Sequence, residues 1–156
     1  MRDLLCRFVL GVTLVLIASS VPQRARAAAP AGRYTVSNGT VLDQKTGLTW
    51  QQSTVNTTYS YGDAMTYCSG NTPALPGGGW RLPTMKELLS IVDDRAATPP
   101  TLDTAFFLSA QAGWYWTGTP SALMASNVWI VTFGNGGVFS KDITLPATTA
   151  YIRCVR

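Results

Sequence analysis

The chain has 156 residues, 12 of them Lys or Arg and 8 Asp or Glu, with no histidine and a formal charge of +4. Without histidine it lacks the usual acid–base group near neutral pH and a principal zinc ligand, so histidine-based catalysis and His-containing zinc sites are excluded. The length suits one domain with its own core.

Arg2 and Arg7 precede the apolar run "FVLGVTLVLIA", and the small residues "RARAAAPA" follow it. That order predicts a secretory leader over residues 1–27, cut after the Ala25-Arg26-Ala27 pattern. The run is too short to span a bilayer, and Cys6 lies before it, where it cannot become a lipidated first residue. A periplasmic or extracellular protein without a stable membrane anchor is expected. Beyond residue 27, eight Lys or Arg stand against seven Asp or Glu, a net of +1, so most of the positive charge belongs to the leader. Such a balance gives no electrostatic footprint for nucleic acid.

Residues 28–33 are rich in Ala, Pro and Gly and read as a flexible lead-in to a domain over 34–156. "TVLDQKTGLTWQ" reads as a hairpin turning at Gln44–Gly47. In "SYGDAMTYC", Tyr61, Ala64, Met65 and Cys68 repeat at helical spacing behind a Ser60/Asp63 cap, with Gly70 closing the helix. After a Pro- and Gly-rich loop comes "GWRLPTMKELLSIVD". There Thr84 and Glu87 form a T-x-x-E capping box, and Met85, Leu88, Leu89 and Val92 make the next apolar stripe. Trp80 and Arg81 precede that cap in extended backbone, so this motif is read as structural. Asp103 reads as the cap of a brief turn, and Asp93, Asp94 and Asp103 as solvated carboxylates without metal-loop spacing.

The remainder is β-like. "WYWTGT", "VWIVTF", "VFSKD" and "YIRCV" are strand candidates, with "GNGG" as a hairpin turn and "VWIVTF" as a central strand covered on both faces. Alternation puts Trp114 and Trp116 on one face, assigned to the core, and turns Tyr115 the other way. In the last strand, Ile152 and Cys154 share a face opposite Tyr151, Arg153 and Val155. Two cysteines remain after the leader, Cys68 and Cys154. In an exported protein an isolated pair predicts a disulfide, which would tie the first helix to the final strand.

Helices and strands are segregated along the chain, so the fold class is α+β. The strings "TGLTWQ", "DAMTYC", "GWRLPTMKELLSIVD", "WYWTGT", "VWIVTFGNGGV" and "YIRCVR" resemble the Lcl C-terminal domain family, over roughly residues 34–156. The resemblance implies a C-type lectin-like fold: two short helices, an antiparallel sheet and a disulfide from helix to terminal strand. It also implies a secreted, non-enzymatic binding or adhesion module whose extracellular ligand is a glycan or a protein. The tripeptides of calcium-dependent sugar sites (Glu-Pro-Asn, Gln-Pro-Asp, Trp-Asn-Asp) do not occur, and neither a metal nor another cofactor is expected. No catalytic constellation is legible, a periplasmic hydrolase being the weakest alternative. The Ser-, Thr- and Asn-rich loops direct attention to Tyr115, Asn127, Asn135, Lys141 and Asp142 as binding candidates.

Overall fold

The computed structural model describes residues 29–156, so the leader reading of residues 1–27 lies outside it. The elements are β1 (Tyr34–Ser37), β2 (Thr40–Asp43), β3 (Thr49–Gln51), α1 (Tyr61–Ser69), α2 (Met85–Ser90), β4 (Trp114–Pro120), β5 (Asn127–Thr132) and β6 (Val138–Asp142). They form two antiparallel three-stranded sheets, β1-β2-β3 and β4-β5-β6, with β5 central in the second. The chain is α+β, as the segregation of helices and strands predicts.

The β2–β3 hairpin lies where it is expected, and Gly47 takes a φ of +74° in its turn. The strand before it was not anticipated. Asn38 and Gly39, with φ of 47° and 76°, turn β1 back onto β2. An Asn-Gly pair supplies the positive φ values that such a tight hairpin demands. The lead-in is also anchored where a flexible segment was expected. Arg33 meets the buried Asp43 carboxylate through two hydrogen bonds, Nε to Oδ1 at 3.1 Å and Nη2 to Oδ2 at 2.9 Å, and also donates to Ser90 O. Burial alone would raise the Asp43 pKa, but the bonds from Arg33 and the Lys45 backbone outweigh it and hold the group below its ordinary value.

In α1, the Ser60 hydroxyl accepts from Asp63 N, and Gly70 closes the helix with its own N–H. The Asp63 carboxylate accepts a hydrogen bond from the Ser60 hydroxyl at 2.7 Å, so the Ser60/Asp63 cap forms with the two side chains bonded to each other. Ala64 and Cys68 are fully buried, whereas Met65 is 43% exposed. The buried stripe is therefore narrower than its apolar spacing suggested. Cys68 and Cys154 form the disulfide, 86 residues apart.

Ahead of α2 the full capping box forms: Thr84 Oγ1 accepts from Glu87 N, and Glu87 Oε2 accepts from Thr84 N. Trp80 is buried, and Arg81 forks onto the Glu87 carboxylate at 2.8 and 2.7 Å. One glutamate thus satisfies a helix start and a guanidinium together. Around it lie two cores. Trp50, Leu88, Tyr115, Val131 and Phe133 fill one, and Ala64, Trp80, Trp116, Ile130 and Ile152 the other. They pack on opposite faces of the β4-β5-β6 sheet, which is why β5 is covered on both sides as expected.

The segment "YIRCV" departs from a regular strand. It makes single bridges, antiparallel from Val155 to Trp50 and to Arg81, and parallel from Tyr151 to Tyr115. Its faces still divide as predicted, with Ile152 and Cys154 in the second core and Val155 in the first.

The Arg81 fork, the first among several causes, lowers the Glu87 pKa from an ordinary 4.5 to about 2. A depressed carboxylate stabilises the fold above its unfolded pKa, and that contribution disappears as pH falls from about 4.5 to 2. Because the Arg81 side chain is 46% exposed, solvent screening reduces the pair to about 1 kcal/mol. Urea unfolding should show Glu87→Gln about 1 kcal/mol less stable than wild type at pH 7, with the two curves converging near pH 2. A constant difference across that window would refute the ion-pair assignment.

Candidate functional site

Backbone register sorts the polar candidates onto different surfaces. Asn127 lies opposite Asp142 and Trp129 opposite Ser140, on the sheet face that carries Tyr115. Lys141 pairs with Val128 and Phe139 with Ile130, on the face that carries Trp114 and Trp116. The binding candidates therefore do not converge.

Most of them are also occupied by local structure. Asn127 is buried, accepting from Ser126 Oγ and donating to Ser140 Oγ. Asn135 Oδ1 takes the Gly137 N–H at 3.0 Å and fixes the β5–β6 hairpin tip. Asp142 accepts the hydroxyl and backbone N–H of Thr144, and these bonds, the hydroxyl first, lower its pKa. Tyr115 is a correction: its ring is fully buried against Phe133 at 4.7 Å, and its hydroxyl accepts from Gln111 N. A core face covers it, so it offers nothing to a ligand.

Lys141 has a different setting. Its Nζ lies 5.4 Å from the centre of the Trp114 ring. Trp114 is 37% exposed and meets the 47% exposed Phe139 edge to face, with ring centres 4.7 Å apart. Three side chains from β4 and β6 thus form an aromatic shelf with an ammonium beside it, on a sheet face whose other end is packed core. Trp114 and Trp116 do share a face, but only Trp116 enters the core, because the cover from α1 and Ile152 stops short of Trp114. Gly137 leaves room for the shelf, since a Cβ there would lie 2.9 Å from Phe139 Cε2.

Sequence reasoning passed over Phe139. The signal was the adjacent apolar pair Val138-Phe139, which a strand must divide between its two faces. Val138 packs against the first core and Phe139 is left outside.

The shelf can bind by stacking. Indole and phenyl faces accept the C–H side of a flat ring or an apolar side chain, while Lys141, whose Nζ also donates to Thr149 O at 3.5 Å, adds its remaining N–H donors and a charge. A second concavity, a cleft of about 240 Å³, lies between the lead-in and the end of α2. It is lined by Ala29, Arg33, Tyr34, Asp93, Asp94 and Asp103, among others.

Residues 39–156 match the model of the Lcl C-terminal domain, and the chain belongs to that family. No curated protein matches the chain.

If the shelf stands outside the core, its truncation is cheap. Trp114→Ala should leave the melting temperature within about 4 °C of wild type, whereas Trp116→Ala, which empties a fully buried site, should cost roughly 3–5 kcal/mol. Thermal and denaturant unfolding of the two variants measures the contrast, and equal losses would assign Trp114 to the core.

Proposed function

We propose that the protein is an exported, non-enzymatic binding module of the bacterial envelope, with a C-type lectin-like scaffold and a glycan as its first ligand class. The observation that carries this reading is the Trp114–Phe139 shelf with Lys141 against it. A solvent-facing indole held on a rigid strand is suited to a sugar ring, and the neighbouring ammonium to its hydroxyl or anionic oxygens. The disulfide favours an oxidising compartment, in keeping with export.

Protein recognition is the second reading, and a different surface favours it. Leu123 and Met124, on the β4–β5 loop, are 85% and 54% exposed. Large apolar side chains presented together outside the core fit a partner protein better than a polar sugar.

A glycan array probed with the exported protein, with and without calcium, separates the two readings. The shelf reading expects selective, calcium-independent binding that weakens at least about tenfold in Trp114→Ala and in Phe139→Ala, a loss of about 1.4 kcal/mol each. Binding that survives both substitutions, or that Leu123→Ser abolishes instead, would move the site to the loop.

A further inference from the structure

The cleft beside the lead-in holds an unusual carboxylate. Asp103 is 8% exposed, yet among the described residues no cationic side chain lies within 4 Å of it. Of the cations that line the cleft, Arg33 forks onto Asp43 and Arg95 lies 3.6 Å from Asp93, while Lys45 has no carboxylate within 4 Å among the described residues and does not reach Asp103. Asp103 has only backbone donors, Ala105 N at 3.1 Å on Oδ1 and Ala29 N at 2.9 Å on Oδ2. A buried anion is costly without a counter-charge, and two neutral N–H groups do not provide one.

The second donor is informative because of its position in the chain. Ala29 lies 74 residues from Asp103 and two residues beyond Ala27, the last residue of the expected leader. A cut after Ala27 creates a new ammonium on Ala28. Covalent geometry keeps that nitrogen within about 4 Å of Ala29 N, whose hydrogen already lies on the carboxylate. The exposed Asp94 lines the same cleft and adds a second negative charge.

We propose that the Asp103 cleft is a receptor for the chain's own amino terminus, the primary ammonium released when the leader is removed. Cleavage converts a neutral amide into a cation beside a buried carboxylate that, among the described residues, has no cationic side chain within 4 Å. The ion pair fastens the lead-in beside the Arg33–Asp43 pair and makes the processed chain more stable than its precursor. The proposal rests on the export reading in its use of the cleavage site, and not on the aromatic shelf.

The test uses the full chain exported with its own leader. Mass spectrometry first identifies the starting residue, expected to be Ala28. A second version carries Gly-Ser inserted between Ala27 and Ala28, which moves the ammonium two residues outward. The native start should melt about 3 °C above the extended one, and in Asp103→Asn chains that gap should shrink below about 1 °C. Acylation of the α-amine at neutral pH needs no Asp103 variant. It should run about tenfold slower for the native start than for the extended one.

A chain that retains residues 1–27 overturns the leader reading and the docking with it. A chain that begins at Ala28 but melts and acylates like the extended version overturns the docking alone.

Discussion

The last seven residues hold the two sheets together, and nearly everything else is arranged around them. Tyr151 exchanges backbone hydrogen bonds with β4, donating to Trp114 O and accepting from Trp116 N. Cys154 O accepts from Gln51 N, Val155 pairs with Arg81 in both directions, and Arg156 does the same with Thr49. One short segment thereby joins β3, the approach to α2, and β4. Because each partner lies in a different direction, it cannot extend one ladder, which explains single bridges in place of a regular strand.

Arg153 sits at the centre of that segment and is fully buried. Burial lowers its pKa to about 10, leaving it a cation at neutral pH. No carboxylate meets it among the described residues. Its Nη1 donates to the Gln51 and Gln52 carbonyls at 2.7 and 2.8 Å, and its guanidinium stacks 5.1 Å from the Phe107 ring. Carbonyl dipoles and an aromatic face thus replace an ion pair. Opposite Arg153, Cys154 carries the bridge to α1, so successive residues anchor the segment to the two cores.

The sequence pattern shows the segregated helices and strands, the capping box at Thr84 and Glu87, the central position of β5 and the disulfide, because each follows from local spacing or from a count of cysteines. The Asn38-Gly39 turn is equally local, since that dipeptide supplies both positive φ values. The candidate site was far less legible. Lys141 lies on the shelf, but Asn127, Asn135 and Asp142 serve local turns and pairs, and Tyr115 lies in the core. Composition cannot separate a polar residue that contacts a ligand from one that braces a loop, since both uses draw on Ser, Asn and Asp. Exposure of Trp114 was beyond periodicity too. Alternation assigns a residue to a face, but how far the covering layer extends along that face depends on tertiary packing.

That boundary lets a single strand serve stability and, on the proposed binding role, recognition as well. Tyr115 and Trp116, next along the chain, are each fully buried, and the Trp114 carbonyl is bonded to Tyr151 N at 2.8 Å. The indole therefore projects from backbone fixed on both sides by the core and the terminal clamp. Phe139 braces its ring from two strands away and Lys141 lies against it, so the shelf is largely ordered before any ligand arrives. A binding surface that is already ordered loses less entropy on association than a loop that must first settle. On the proposed binding role, the clamp built around Arg153 and Cys154 would serve recognition through the stiffness it gives Trp114, although neither residue lies on the shelf.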